Sequence, residues 1–499
     1  MALPFSVCLR LCGEGGCMTR RIIGPFNRVE GDLEVTLDIE VGIVRAAYVN
    51  SPMYRGFEQI LLGKHPLDAL VYVPRICGIC SVAQSAAAAQ ALAQGMGLQP
   101  PENGRLAANL TLAAENLADH LSHFYLFFMP DFARDGYRDR AWFADTQARF
   151  KSVTGTASAD VLPVRAKFMN VMGYLAGRWP HTLSLQPGGS SRPLEEAEKL
   201  RLKMLLNEFR TFLERTLFGD TLEAVAALDS EPALYSWMQP RAKSADFPRF
   251  LHIARDLGLQ QIGRAADRFM SYGAYVDGAT ALFQPGVWSD GKSHVLDIGA
   301  IREDVSSSWM AGDVALAPEE GRTLPQPDKP DAYSWCKAPR LSGQVAETGP
   351  LARQMVAGHP LVRDMVGRHG ASVTARVVAR MLEFALVIPA MEIWLQQIRP
   401  GAPFCLPALE LDEVRGVGLI EAARGSLGHW MDVRKGKLHN YQIIAPTTWN
   451  FSPRDAAGVP GALEQALVGL AAEEGGDGAP LAVQHVVRSF DPCMVCTVH

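Results

Sequence analysis

Two Cys-x-x-Cys pairs stand at opposite ends of this 499-residue chain, Cys77/Cys80 in the first hundred residues and Cys493/Cys496 in the last seven. If both pairs serve one centre, the chain must return its C-terminus to its N-terminal part. A string of independent modules cannot do that. A tight Cys-x-x-Cys turn aims two sulfurs at one point, which suits zinc, an iron–sulfur cluster or a redox disulfide. Four-thiolate zinc modules place their pairs roughly fifteen to twenty residues apart, and a zinc knuckle needs no span like this one. A zinc-stabilised structural protein is therefore the alternative from another class, separable by metal content.

Composition narrows the function classes. The net charge of −5 offers no basic field for nucleic acid. No run of 18 apolar residues occurs, so no membrane span is expected; Phe384–Trp394, broken by Pro389 and Glu392, reads as a buried helix. Nine cysteines without a signal-like leader argue against a disulfide framework and for the cytoplasm. Cys8, Cys12 and Cys17 fall in a segment with no pattern before Arg21, and Met18 is an alternative start. Residues 1–20 are thus expected to be an extension, and residues 21–499 one unit. Cys336 and Cys405 stand alone.

Periodicity supplies the elements. Leu33, Val35, Leu37 and Ile39 alternate with polar residues as a half-buried strand, and residues 43–49 return as its partner. Leu106, Leu110, Ala113, Leu117, Leu121, Phe124 and Phe128 make residues 102–129 the clearest helix. Further helices are expected from Pro193 to Leu217, ended by Gly219, and over residues 372–398. Residues 272–345 read as strands and loops, and 430–446 as a hairpin turning at Lys435–Gly436. Residues 452–480 read as surface loops around one short helix, with Gly475–Gly476 as a flexible stretch. The sum is a helix-dominated α+β chain.

The flanking residues decide between the metal chemistries. Arg75-Ile-Cys77-Gly-Ile-Cys80 and Asp491-Pro-Cys493-Met-Val-Cys496-Thr-Val-His499 resemble the two motifs of nickel–iron hydrogenase large subunits. Before and between them, in family order, come Arg28-Val-Glu30-Gly, Arg55-Gly-Phe-Glu58, Asp119-His120 with His123-Phe-Tyr125, Ala423-Arg424-Gly with Leu427-Gly-His429-Trp430, and Asn440-Tyr-Gln with Pro446-Thr-Thr-Trp449-Asn450.

The resemblance implies a long-helix bundle core with small peripheral β-sheets and a nickel–iron centre whose iron carries carbon monoxide and cyanide. Cys77 and Cys493 would be terminal nickel ligands, and Cys80 and Cys496 would bridge the metals. Soft thiolates suit such a pair. H2 would be split heterolytically, with Cys493 taking the proton and Glu30 relaying it; by itself Glu30 could be a turn residue. Arg424 would stand over the open site, held by Asp119 and Asp491. These carboxylates could instead pair along the helix with Arg105 or His123, or cap a short helix before Pro492. Glu58 and His499 would hold a magnesium or other divalent ion, although a terminal histidine can also be disordered. Implied partners are maturation proteins and an iron–sulfur small subunit, since the remaining cysteines are too scattered for a cluster relay.

Three departures mark this chain within the resemblance. Asp32 stands where a histidine is usual, Gln84 replaces the usual histidine four residues after Cys80, and Ala423 replaces a proline. Gln84 can reach a cysteine sulfur only through its amide. With Ile79 and Phe127, which by resemblance narrow the gas path, the pattern is similar to the H2-sensing branch. The expectation is a slow, O2-tolerant cytoplasmic sensor that signals to a histidine kinase. The alternative is an energy-conserving uptake hydrogenase, membrane-associated through its partners.

Overall fold

The computed structural model describes residues 5–13, 16–278, 280–472 and 479–499, with side chains from residue 18 onward. Strands β1 (Phe5–Gly13), β2 (Gly16–Gly24), β3 (Glu34–Glu40) and β4 (Ile43–Asn50) form an antiparallel meander in that order. The expected pair is thus half of a larger sheet. Val35, Leu37 and Ile39 bury their alternate face completely. The boundary expected after residue 20 falls inside β2, whose register with β3 runs from Met18 to Ile23. Thr19 is buried and Arg20 pairs with Asp38 at 2.7 Å. The side chains of Cys8, Cys12 and Cys17 lie outside the described residues.

The helices that frame the interior are α1 (Ser81–Met96), α2 (Glu102–Ser122), α3 (Glu196–Phe212), α4 (Pro350–Ala357), α5 (Val373–Gln397), α6 (Leu481–Ser489) and the short α7 (Met494–Thr497). Helix α5 packs along α2, α3 and α4. Ser372 caps it by accepting the Ala375 N–H at 3.2 Å. The helical stretch expected over 102–129 is α2 followed by a π-turn, His123–Phe128, the kind of irregularity that clusters at functional sites. Helix α3 begins at Glu196 rather than Pro193, because Glu195 and Glu198 form a capping box there; Gly219 ends the following π-turn at φ 69°. Among the described residues no helix is long and apolar enough to cross a membrane.

The expected hairpin over 430–446 is part of a three-stranded sheet, β5 (Val414–Ala422), β6 (Gly425–Arg434) and β7 (Lys437–Ile444). Its edge strand β5 lies against α1. Gly416 and Gly418 face the backbone of Ala91 and Ala87 so closely that a Cβ would overlap their carbonyl oxygens. The alanine run of α1 and these glycines let helix and strand approach. The edge N–H groups of Val417 and Leu419 are taken by the side chains of Gln94 and Gln90 on α1, which satisfies an otherwise open edge. The helix within 452–480, Ala462–Leu467, is buried rather than superficial, because Glu464 accepts the Val49 N–H of β4 at 2.9 Å. Gly475 and Gly476 lie outside the described residues.

This contact generates a test. Gly418→Ala should force β5 off α1 and cost about 2–3 kcal/mol, as overpacking does. Gly173→Ala, with nothing within 4 Å of an added Cβ, should leave stability unchanged or raise it. A thermal melt of both variants checks the difference, and equal melting points would contradict the close packing.

Candidate metal centre

The C-terminal turn reaches the N-terminal one through backbone pairing. Glu30 N–H donates to Pro492 O at 3.4 Å, and Met494 N–H donates to Glu30 O at 2.7 Å. Gly31, at φ 82°, permits this approach; a Cβ there would meet Val495 at 3.0–3.1 Å. The Arg55 guanidinium then clamps both cysteine turns, donating to Ile76 O beside Cys77 and to Val495 O beside Cys496.

As a result the four sulfurs of Cys77, Cys80, Cys493 and Cys496 lie within 4.8 Å of one another, all buried. The Cys77–Cys493, Cys80–Cys496 and Cys493–Cys496 separations are 3.4, 3.0 and 3.2 Å, far longer than a disulfide. Burial pushes the Cys493 and Cys496 thiols up, and shared protons push Cys80 up. Against the cost of burial, Cys77 is drawn down by S–H groups of its neighbours. Four thiolates this close need a cation, so the donor set fits a soft transition metal.

Arg424 occupies the tip of a two-residue hairpin between Ala422 and Gly425, yet it is buried. Arg353 fixes that tip by donating to Ala422 O and Ala423 O at 2.8 and 3.3 Å. The Arg424 side chain donates to Asp119 Oδ1 at 3.0 Å, Asp491 Oδ1 at 3.2 Å and Asp491 O at 2.9 Å. Its Nη1 has no protein partner, a free buried donor beside a thiolate cluster whose charges act on it. Burial pushes the Asp119 carboxyl up to about 6 against the pull of Arg424.

Asp119 therefore looks across to Arg424, not along its helix to Arg105 or His123; those donate to Pro100 O and contact Arg488 O instead. Asp491 follows α6 at φ 58° and does not cap α7, whose N-cap is Cys493. Arg380, on α5, meets Asp491 Oδ2 at 3.3 Å, which gives the cluster two guanidiniums and two carboxylates. Unpaired, any one of these would be costly at such depth.

Glu30 is half-buried beside the cysteines rather than in a surface turn. Burial and the Cys77 charge raise its carboxyl above the usual range. Gln84, one turn after Cys80, places its Nε2 4.0 Å from Cys496 Sγ. His499 is buried, with Nε2 3.2 Å from Glu58 Oε1 and Nδ1 3.1 Å from Cys496 O. Burial would raise the Glu58 carboxyl, but Lys337, His499 and Thr323 outweigh it and hold it at about 2. These groups, with Glu303, line a cavity of about 20 Å³.

Sequence reasoning missed several supporting groups. Arg55 was recognised only as part of a motif, while Arg380 falls in the helix expected over 372–398 and Arg353 in a segment for which no element is expected. Glu115 accepts N–H groups of Val82, Ala83 and Trp179 at 2.9, 3.0 and 2.9 Å, and the Ser81 hydroxyl at 3.4 Å. It thereby closes the first turn of α1, directly after Cys80. Burial pushes its carboxyl up to about 8, yet every partner is a donor, so the surroundings suit the carboxylate.

A buried thiolate metal centre beneath a paired guanidinium defines the class of protein. Residues 55–135 and 156–499 match the nickel-dependent hydrogenase family, and the chain belongs to that family. It is 30% identical over 518 aligned positions to the periplasmic [NiFeSe] hydrogenase large subunit of Desulfomicrobium baculatum, covering 96% of this chain and 94% of that one. The hydrogenase-2 large chain of Escherichia coli (strain K12) is 27% identical, with 97% of each covered. The crystal structure of a reduced, active Ni-Fe-Se hydrogenase from Desulfomicrobium baculatum superposes with a TM-score of 0.83 at 28% identity, over 99% of this chain and 100% of that one.

Arg55→Met should remove the clamp between the two cysteine turns. Losing its charge-assisted hydrogen bonds costs about 2 kcal/mol, concentrated on the thiolate cage. Purified Arg55→Met protein should retain less nickel per chain, as measured by elemental analysis. Full nickel content would show that the turns hold together without it.

Proposed function

We propose that this chain activates H2 at a nickel–iron centre held by Cys77, Cys80, Cys493 and Cys496, as the large subunit of a heterodimer. The convergence of four buried sulfurs under the unpartnered Arg424 Nη1 carries the reading. When bound, the metal pair with its carbon monoxide and cyanide ligands, installed by maturation proteins, supplies the redox chemistry. The protein's own groups manage the proton. Oxidation of H2 would release two protons and an electron pair: Cys493 Sγ would accept each proton in turn, and the carboxylate of Glu30, whose backbone pairs with the Cys493 turn, would carry it outward. The electron pair leaves through a small subunit bearing iron–sulfur clusters. Asp119 and Asp491 keep Arg424 charged and aimed at the substrate's side of the centre. Glu58 and His499 fit a divalent ion such as magnesium that ties the C-terminus to the fold. Some relatives' names include selenium; all four ligand positions here are cysteine.

H2/D2O exchange tests this. The unaltered heterodimer should exchange, and Glu30→Gln should keep its nickel and iron while exchange falls about a hundredfold, the usual scale of a lost proton-transfer group. Unchanged exchange in Glu30→Gln would remove Glu30 from the path.

Within the family, a sensing role rests on Gln84, Ile79 and Phe127. With it come a cytoplasmic location and a histidine kinase as recipient. The two relatives named above, a periplasmic [NiFeSe] hydrogenase large subunit and a hydrogenase-2 large chain, support the uptake reading instead. With an uptake role comes attachment to a membrane through partners. The Ile79→Val/Phe127→Leu double variant separates the two. Under the sensing reading the unaltered protein resists timed exposure to air, and the double variant keeps its H2 response but is inactivated. Rapid inactivation of the unaltered protein favours uptake.

A further inference from the structure

The side chain of Gln84 presents two chemically opposite ends, and its surroundings determine which one meets the metal centre. Gln84 is buried on α1, with its amide nitrogen 4.0 Å from Cys496 Sγ, the outer reach of an N–H···S contact, and its Oε1 2.9 Å from His429 Nε2. His429 lies on β6, and its Nδ1 is 2.8 Å from the Tyr441 hydroxyl on β7. Tyr441 pairs with Met431, two residues from His429, so the two side chains are diagonal neighbours on one face. All three residues are buried.

The proton positions along this row follow from its two ends. A metal-bound cysteine is a thiolate, which only accepts hydrogen bonds. Gln84 must then turn its NH2 toward Cys496 and its carbonyl toward His429. The carbonyl only accepts, so His429 Nε2 carries the proton. His429 Nδ1 is then a lone pair, and the Tyr441 O–H donates to it. Burial holds the imidazole neutral, with its pKa down to about 3, so one tautomer serves the row. A ring protonated on both nitrogens would have no use for the tyrosine proton.

We propose that His429, fixed in its Nε2–H tautomer by Tyr441, is a positioning residue that orients Gln84 to donate an N–H to the bridging sulfur of Cys496. Without His429 the amide loses the donor that distinguishes its two ends, and rotation by half a turn sets its carbonyl against the thiolate. An N–H···S bond withdraws electron density from sulfur, so its loss makes Cys496 a stronger donor to the iron. The inference rests on the nickel–iron reading above.

Infrared spectroscopy of the purified heterodimer gives a readout other than activity, because carbon monoxide on the iron reports its electron density. His429→Leu should shift the carbon monoxide band to lower wavenumber, and His429→Gln, which keeps an N–H for the Gln84 carbonyl, should restore it. Gln84→Leu should shift the band as well. In the Gln84→Leu background, His429→Leu should add nothing, because the two residues act through one contact. Should His429→Leu misfold, Tyr441→Phe gives the milder version of the same shift. A purely structural role lowers the melting temperature and leaves the band in place. An unshifted band in a folded His429→Leu heterodimer, or an equal further shift in the Gln84→Leu background, would overturn the proposal. If the unaltered protein shows no carbon monoxide or cyanide bands, the nickel–iron reading fails, a different outcome from bands that do not shift.

Discussion

The two cysteine turns come from opposite ends of the chain, and neither can hold a metal pair alone. Their meeting is enforced by backbone pairing between Glu30 and the Cys493 turn, and by one guanidinium, Arg55, shared between the two loops. Each neighbouring element serves that juxtaposition. Helix α1 starts directly after Cys80 with its first N–H groups closed by Glu115, and its alanine face accepts β5 at glycine distance. The hairpin that follows β5 places Arg424 close enough for the thiolate charges to act on it. The last residue, His499, returns to Glu58 and closes the ring.

Charge balance explains why so many ionised groups tolerate this depth. Arg424 and Arg380 face Asp119 and Asp491, and behind them Arg353 binds Glu383 at 2.8 and 2.9 Å and Glu421 at 2.8 Å. His120 links the two layers, 2.8 Å from Glu383 and 3.4 Å from Arg380. Buried pairs of this kind contribute little net stability, but removing one partner is costly because it strands the other. Their service is geometric: a row of paired charges keeps Arg424 in one orientation.

Much of this architecture was legible in the sequence, for physical reasons. The strand β3 and helix α2 carry strong periodicity, α5 is a long, mostly apolar stretch, and the cysteine motifs carry chemistry that few folds share. What escaped were residues whose meaning is tertiary. Val414–Ala422 contains Gly416 and Gly418, a residue type that weakens a strand interior; here they are required because a helix backbone lies against them. Glu115, Arg353 and Arg380 sit on helices where a charge normally marks a solvated face, and only the assembled bundle shows that they are paired in its interior. The boundary expected after residue 20 falls within β2, because a lack of pattern does not prevent a strand from pairing with a strongly patterned neighbour such as β3.

The central claim is that four sulfurs from the two ends of the chain enclose one nickel–iron pair. Anomalous X-ray scattering from crystals of the matured heterodimer, collected on either side of the nickel and iron absorption edges, tests it most directly. The account predicts one nickel and one iron peak, both between the sulfurs of Cys77, Cys80, Cys493 and Cys496, with Cys80 and Cys496 in contact with both metals. A single zinc peak at that position, or nickel bound away from these four residues, would contradict it.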